Sequence, residues 1–289
     1  MKLVRSADEL AHTLDLAISE AAAAFGDPRV YVERFVASGR HVEVQVLGDG
    51  TRAVALGDRD CSVQRRYQKL FEEAPAPLLS DRIRAEMAAG ALALATHLRY
   101  RGLGTVELLH DRERDRFYFL EMNARIQVEH PVTEMVTGVD LVAEQIAVAE
   151  GLPLRLRQED VVLTGHAVEC RINAEDWTHD FRPSPGRIGR VVLPAGDGIR
   201  VDTHVQGGSV VPPYYDSLLA KLVVHGVDRA DALARTRAAL GLLRIDGVTT
   251  TVPVHQALLA EPEFAAGGVD TAFFERFLAS HRPDVVGVS

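Results

Sequence analysis

Hydrophobic and polar positions change period several times along the chain, and each change marks an element. Ser6-Ala7-Asp8-Glu9 has the pattern of a capping box, and Leu10, Leu14 and Ile18 follow at helical spacing. That helix should stop near Gly26-Asp27-Pro28. Val30 to Val36 and Arg40 to Leu47 read as strands. In the second, Val42, Val44 and Val46 alternate with His41, Glu43 and Gln45, which gives one core face and one polar face. Asp49-Gly50 turns the chain into Arg52 to Leu56. Ser80 caps a helix running to about His97. Gly104 to Leu109 and Phe117 to Leu120 are strand-like runs joined by a polar loop, His110 to Asp115. Short helices are expected over Thr133 to Thr137 and from Leu141 into Glu150.

The pattern changes character around residues 153–160. Strand-like runs follow at Val161 to Asn173, Gly189 to Leu193 and Leu218 to His225. Helical runs follow at Arg229 to Leu243, Val254 to Leu259 and Ala272 to Ser280.

The run Glu121-Met122-Asn123-Ala124-Arg125 carries the chemistry. Alternation puts Glu121, Asn123 and Arg125 on one side of a strand, a face with nothing apolar to bury. With a hairpin register centred near Arg114, Glu107 lies directly across from Glu121. Opposed like charges destabilise a sheet unless positive charge sits between them. Mg²⁺ suits that place, because it takes carboxylate oxygens together with phosphates and water. Spacing alone leaves equal room for a solvated face with two unrelated glutamates.

Composition narrows the remaining classes. The chain has 289 residues, 47% hydrophobic and 25% charged, with a net charge of −9. Such an acidic balance argues against a nucleic-acid binder. Two distant cysteines, Cys61 and Cys170, form neither a disulfide framework nor a metal-ligand spacing, and point to a reducing cytosol. No apolar run is long enough for a membrane helix, and the N-terminus does not read as a signal peptide. Of 32 basic residues all but Lys2, Lys69 and Lys221 are arginine. A lysine kept against that bias marks a place where a compact ammonium charge is wanted. Lys69 closes the basic run Arg59 to Lys69. On spacing alone, Arg125 and Glu129 could equally be an i,i+4 helical ion pair, and composition alone favours a solvated face for Lys69 with Arg65 and Arg66.

Six segments in order resemble the biotin carboxylases, ATP-grasp enzymes of acetyl-CoA, propionyl-CoA, pyruvate and related carboxylases. They are Arg40 to Gly50 (RHVEVQVLGDG), Arg59 to Lys69 (RDCSVQRRYQK), Glu72 to Pro77 (EEAPAP), Glu121 to Leu141 (EMNARIQVEHPVTEMVTGVDL), Gly165 to Asp176 (GHAVECRINAED) and Pro212 to Leu222 (PPYYDSLLAKL). The resemblance implies an α+β fold: the C-terminal part of an ATP-grasp domain over 1–152, a largely antiparallel sheet with helices, followed by a biotin carboxylase C-terminal domain over 153–289.

It also implies residue roles. Glu33, Arg34, Phe35 and Val36 would form the adenine hinge, with His41, Gln64 and Tyr67 lining the nucleotide pocket. Arg34 and Tyr67 depart from the lysine and histidine common in relatives. Glu107, Glu121 and Asn123 would hold Mg²⁺ or Mn²⁺ on ATP, and Lys69, Arg125 and the Val128 backbone would hold bicarbonate. Lys69, Arg125 and Glu129 form the expected catalytic set, with Glu129 as base, and Arg200 would contact biotin.

Further expectations are a biotin carboxyl carrier protein, a carboxyltransferase component, a homodimer and a cytoplasmic location, with no nucleic-acid or membrane partner. The hairpin between Glu107 and Glu121 is two residues longer than in some relatives, an even insertion that preserves side-chain parity. Met1-Lys2 aligns just after the family's glycine-rich lid. That alignment implies a chain beginning mid-domain, by truncation, a split gene or a misassigned start, and weak or absent catalysis alone. Two other readings are another ATP-grasp ligase, opposed by the RIQVEH and PPYYDS segments, and a non-catalytic binding or dimerising module.

Overall fold

The computed structural model describes residues 2–281. It divides into two compact units, residues 1–37 and 38–289. The first contains helix α1 (Ala7–Phe25), ended by Gly26 in the left-handed region at φ 69°. The Ser6 side chain caps nothing; Glu9 instead accepts from the backbone N–H of Arg5 at 3.0 Å. No residue of α1 is buried, so its Leu10, Leu14 and Ile18 stripe forms no core. Val30 to Val36, expected as a strand, has no regular structure. Strand-forming residues realise that preference only where a neighbour completes their hydrogen bonds.

The second unit is built on one eight-stranded antiparallel sheet. Its strands are β1 (Gly39–Asp49), β2 (Ala53–Arg65), β3 (Gln68–Ala74), β4 (Arg101–Asp111), β5 (Arg116–Asn123), β6 (His166–Asn173), β7 (Ile199–Thr203) and β8 (Leu218–Gly226). Their order is β7-β8-β6-β3-β2-β1-β4-β5, so strands from both sides of residue 153 hydrogen-bond in one sheet. Three two-residue strand pairs form separate small sheets.

Alternation decides which face each helix covers. Val42, Val44 and Val46 point with Val106 and Leu108 onto α2 (Asp81–His97), meeting Ile83, Met87, Ala91 and Ala95. Ser80 Oγ caps α2 by accepting from Ile83 N at 3.3 Å. On the same side of the other half, Phe71, Cys170, Ile172, Leu222 and Val224 pack under α5 (Arg229–Leu242), α6 (Val252–Ala260) and α8 (Phe273–His281). A short α7 (Pro262–Ala266) was not expected from the sequence; it inserts Phe264 edge-on against Phe71.

The opposite face is covered by α3 (His130–Thr137) and α4 (Leu141–Ala149). Val132 and Val136 rest on Ala74, Ala167 and Val223, while Leu141 and Val148 join Leu47, Leu56 and Leu103. Between these apolar patches His41, Glu43, Gln45, Arg59 and Lys69 lie under the loop 124–129. Glu43, Gln45 and Arg59 are fully buried, so the polar face foreseen for β1 is closed off from water. Before β6 the chain runs irregularly from Val161. Gly165, at φ 66°, lets it pass the Gly226 carbonyl where a Cβ would lie 2.2 Å from that oxygen. Among the described residues no helix is long and apolar enough to cross a membrane.

Candidate active site

The β4–β5 hairpin sets the first pair of residues. Glu107 is the ladder partner of Glu121, as the spacing predicts, and a bulge next to Glu107 absorbs Leu120. The Asn123 amide nitrogen donates to Glu107 Oε1 at 3.1 Å and to Glu121 Oε1 at 3.0 Å. The two carboxylates therefore converge on one amide. Arg125 Nη2 donates to Asn123 Oδ1 at 3.0 Å, so Glu121, Asn123 and Arg125 share a face.

Behind this hairpin lies Lys69, on β3. Its ammonium spends its three N–H bonds on Glu43 Oε2 (2.6 Å), Glu107 Oε1 (3.1 Å) and Glu129 Oε1 (2.5 Å). The positive charge beneath has the same completeness. Arg59 has five N–H donors and five acceptors: Glu43, Gln45, Thr133, Thr105 and Gln127. Burial pushes the Glu43 carboxyl up, but Arg59 and Lys69 outweigh it and hold it at about 2. Glu107 is likewise raised by burial and brought down to about 2 by His41, Lys69 and Gln127. The Lys69 ammonium is held well above its ordinary range: burial works against it, and the surrounding acids win.

His41 is positioned by Gln64, whose amide nitrogen donates to Cys61 O at 2.8 Å and to His41 Nδ1 at 2.7 Å. Both amide hydrogens are thereby used, so His41 Nδ1 is the acceptor and its proton belongs on Nε2. That atom lies 3.1 Å from Glu107 Oε2 but outside good hydrogen-bond alignment. One ligand-type atom each from His41, Glu43 and Glu107 falls within 4.8 Å of the others.

Glu129 ends the loop that leads into α3. It is buried and, among the described residues, forms no ion pair with Arg125, because the i,i+4 helix that would pair them does not exist there. Its second oxygen accepts from Arg171 Nη2 at 3.0 Å, and Arg171 Nε donates to Glu72 at 2.5 Å. Val128 O accepts from Lys221 Nζ at 3.0 Å.

Nine of the expected residues thus form one connected cluster: His41, Gln64, Lys69, Glu107, Glu121, Asn123, Arg125, Val128 and Glu129. Tyr67 stands apart, exposed at the β2–β3 turn with φ 68°. Arg200 reaches the cluster only indirectly. Its guanidinium is taken up by Asp202 and Glu134, and Asp202 lies 3.4 Å from Lys221. Glu33 to Val36 lie in the N-terminal unit, in irregular backbone.

Sequence reasoning missed Glu43, Arg59, Arg171 and Lys221. The scarcity of lysine that singles out Lys69 applied equally to Lys221. Glu43 and Arg59 occupy the polar side of alternating strands, and no sequence signal says that this side is covered. Arg171 stands inside the GHAVECRINAED segment, where nothing in its spacing separates it from the neighbouring charges.

These oxygen donors, with a lysine and two arginines behind them, have the make-up of a site for a metal-bound anionic ligand, and comparison with known proteins gives the class. Residues 1–157 match the family described as Carbamoyl-phosphate synthase L chain, ATP binding domain, and residues 169–276 match the Biotin carboxylase C-terminal domain. The chain belongs to the biotin carboxylase family of ATP-grasp proteins. It is 53% identical over 276 residues to the biotin carboxylase of a Nostoc species, covering 95% of this chain and 62% of that one. To the Pseudomonas aeruginosa biotin carboxylase it is 51% identical, covering 96% and 62%.

Among solved structures, the biotin carboxylase domain of a thermophilic 2-oxoglutarate carboxylase bound to bicarbonate superposes with a TM-score of 0.92 at 43% identity, covering 95% and 62%. The Campylobacter jejuni biotin carboxylase, in complex with β-γ-ATP, gives 0.88 at 44% identity, covering 96% and 61%. The chain therefore spans about three fifths of the length of these relatives.

Proposed function

We propose that this chain carries the metal and bicarbonate side of a biotin carboxylase site, in which ATP and bicarbonate carboxylate biotin on a carrier protein. The observation that carries the reading is the convergence of Glu107 and Glu121 on Asn123, with Lys69 and Glu129 directly behind. Hard oxygen donors fit Mg²⁺ or Mn²⁺ better than a thiolate- or histidine-seeking metal. Glu107 and Glu121 would hold the ion, joined by the Asn123 carbonyl oxygen once the amide, which here turns its nitrogen to the carboxylates and its oxygen to Arg125, rotates. When bound, it would offset charge on the phosphates of ATP.

The protein's own groups account for the rest. Lys69 and Arg125, with the Val128 backbone, bind bicarbonate. Glu129, gripped by Lys69 and Arg171, takes its proton, and the carbonate oxygen attacks the γ-phosphorus as ADP leaves. The product, carboxyphosphate, breaks into CO₂ and phosphate. The phosphate takes the biotin N–H proton, and the biotin nitrogen attacks CO₂. Negative charge developing on the ureido oxygen needs a nearby cation. The expectation placed Arg200 there; Arg171, in direct contact with Glu129, is the better-placed guanidinium. His41, Gln64, Tyr67 and the Glu33 to Val36 segment take the nucleotide.

We take 1–152 and 153–289 as the two functional domains, a division supported by the two family matches. A carrier protein, a carboxyltransferase, a homodimer and a cytoplasmic setting complete the proposal. A domain dimer is described for the Hydrogenobacter thermophilus 2-oxoglutarate carboxylase. Bicarbonate-dependent ATP hydrolysis, stimulated by free biotin, is the test. It is to be run on the chain and on any longer polypeptide that carries it, and absence of the stimulated rate in both refutes the proposal.

A further inference from the structure

Glu72 on β3 and Glu169 on β6 are direct ladder partners, and both are fully buried. Adjacent carboxylates on one face of a sheet repel, and burial multiplies the cost. Glu72 Oε1 is taken by Arg171, but among the described residues Glu72 Oε2 and both oxygens of Glu169 have no hydrogen-bond partner. Three orphaned carboxyl oxygens in a closed interior are an unstable arrangement as drawn with two ionised acids.

One proton removes most of that difficulty. Placed on Glu169, it is donated to Glu72 Oε2, satisfies two of the three orphans and removes one of two facing charges. We infer that Glu72 and Glu169 form an acid–carboxylate pair sharing a single proton, and that this pair positions Arg171 against Glu129. The first half rests on geometry alone; the second rests on the function proposed above. Burial pushes both carboxyls up, Glu72 to about 7, and Glu72 raises Glu169 further.

The surrounding charges oppose one another: Arg171, Lys221 and Lys69 favour ionised acids, and Glu129 disfavours them. The groups facing the pair are Arg171 on β6, Lys221 on β8, Lys69 on β3 and Glu129 ahead of α3. From α3, His130 and Glu134 sit against Lys221 and Arg200 rather than against the pair. Cys170 and Cys61 also feel these acids, which with burial keep their thiols protonated. With Glu169 neutral, Arg171 has two anions to satisfy, Glu72 and Glu129, and its Nε and Nη2 reach one each. Ionised Glu169 would be a third, competing for the same guanidinium. Glu72 and Glu169 are thus positioning residues, acting on the reaction through Arg171.

Infrared spectroscopy of protein labelled with ¹³C-glutamate tests the shared proton without any activity. The expected result is a protonated-carboxyl band in the wild type at neutral pH, lost in Glu169→Gln and shifted but retained in Glu72→Gln. No such band in the wild type, or a band that survives Glu169→Gln, overturns the inference. If Glu169→Gln fails to fold, the wild-type titration still decides, because the band must outlast the ordinary carboxyl range as pH rises.

The positioning role is read from the pH profile of biotin-stimulated turnover. Glutamine cannot ionise, so Glu169→Gln should extend activity to higher pH than the wild type. An unchanged alkaline limb overturns that role. A silent assay with the band present counts against the proposed function and leaves the proton pair standing.

Discussion

Replacing Lys69 with methionine keeps an unbranched apolar stem out to the ε position and removes the ammonium. Three carboxylates then lose a donor at 2.6, 3.1 and 2.5 Å, and one of them, Glu43, is fully buried. Removing one partner of a buried charge pair leaves the other uncompensated, at a cost of about 3–5 kcal/mol. Each acid keeps some help: Glu43 has Arg59, Glu129 has Arg171, and Glu107 has Gln127 and Asn123. The expected loss is therefore at the lower end, about 3 kcal/mol.

The pH dependence has a definite sign. Glu43 and Glu107 are held at about 2 against an ordinary 4.5, so their contribution is present above the unfolded value and lost as pH falls from 4.5 towards 2. Without Lys69 these folded-state values rise, and protonation relieves the variant first. Urea denaturation of the wild type and Lys69→Met should show a gap that narrows between neutral pH and about pH 4. A loss under about 1 kcal/mol, or a gap that does not change with pH, would refute the reasoning, since it would mean that the ammonium is not what stabilises these acids.

Glu129→Gln should fold but lower bicarbonate-dependent ATP turnover by about 10²–10⁴-fold, the range for loss of a positioned base; turnover within tenfold of wild type would exclude Glu129 as the base. Arg171→Lys, unable to reach Glu72 and Glu129 together, should lower biotin-dependent turnover by about 10²-fold, while Arg200→Lys should cost less than about tenfold; the reverse order in a steady-state comparison would restore Arg200 to the biotin contact. Arg66 and Tyr67 both occupy the left-handed region at the β2–β3 turn, with φ 49° and 68°. Changing the pair to Asn-Gly should stabilise the chain by about 1 kcal/mol in urea while weakening nucleotide binding measured by calorimetry; unchanged affinity would remove Tyr67 from the nucleotide site.

The elements legible in the sequence were those whose period and punctuation agreed. Strand β1, the capped helix α2 and the Glu107–Glu121 register followed from alternation, from Ser80 and from the loop centred near Arg114. Val30 to Val36 carried an equally good strand pattern but joins no ladder among the described residues. Helix α1 formed with its stripe unburied, because amphipathic spacing sets a helix's faces and not what covers them. At the site, residues on the hairpin were legible from parity within two adjacent strands. Glu43, Arg59, Arg171 and Lys221 were not, because their meeting depends on the order in which β1, β2, β3, β6 and β8 line up. The same limit hid the Glu72–Glu169 pair, whose strands lie almost a hundred residues apart in the chain.

Anomalous diffraction from crystals grown with Mn²⁺ and ADP addresses the metal site most directly. A manganese peak coordinated by both Glu107 and Glu121, with Lys69 and Glu129 alongside, is the result expected here. A peak held by only one of the two carboxylates, or located elsewhere on the sheet, would contradict it.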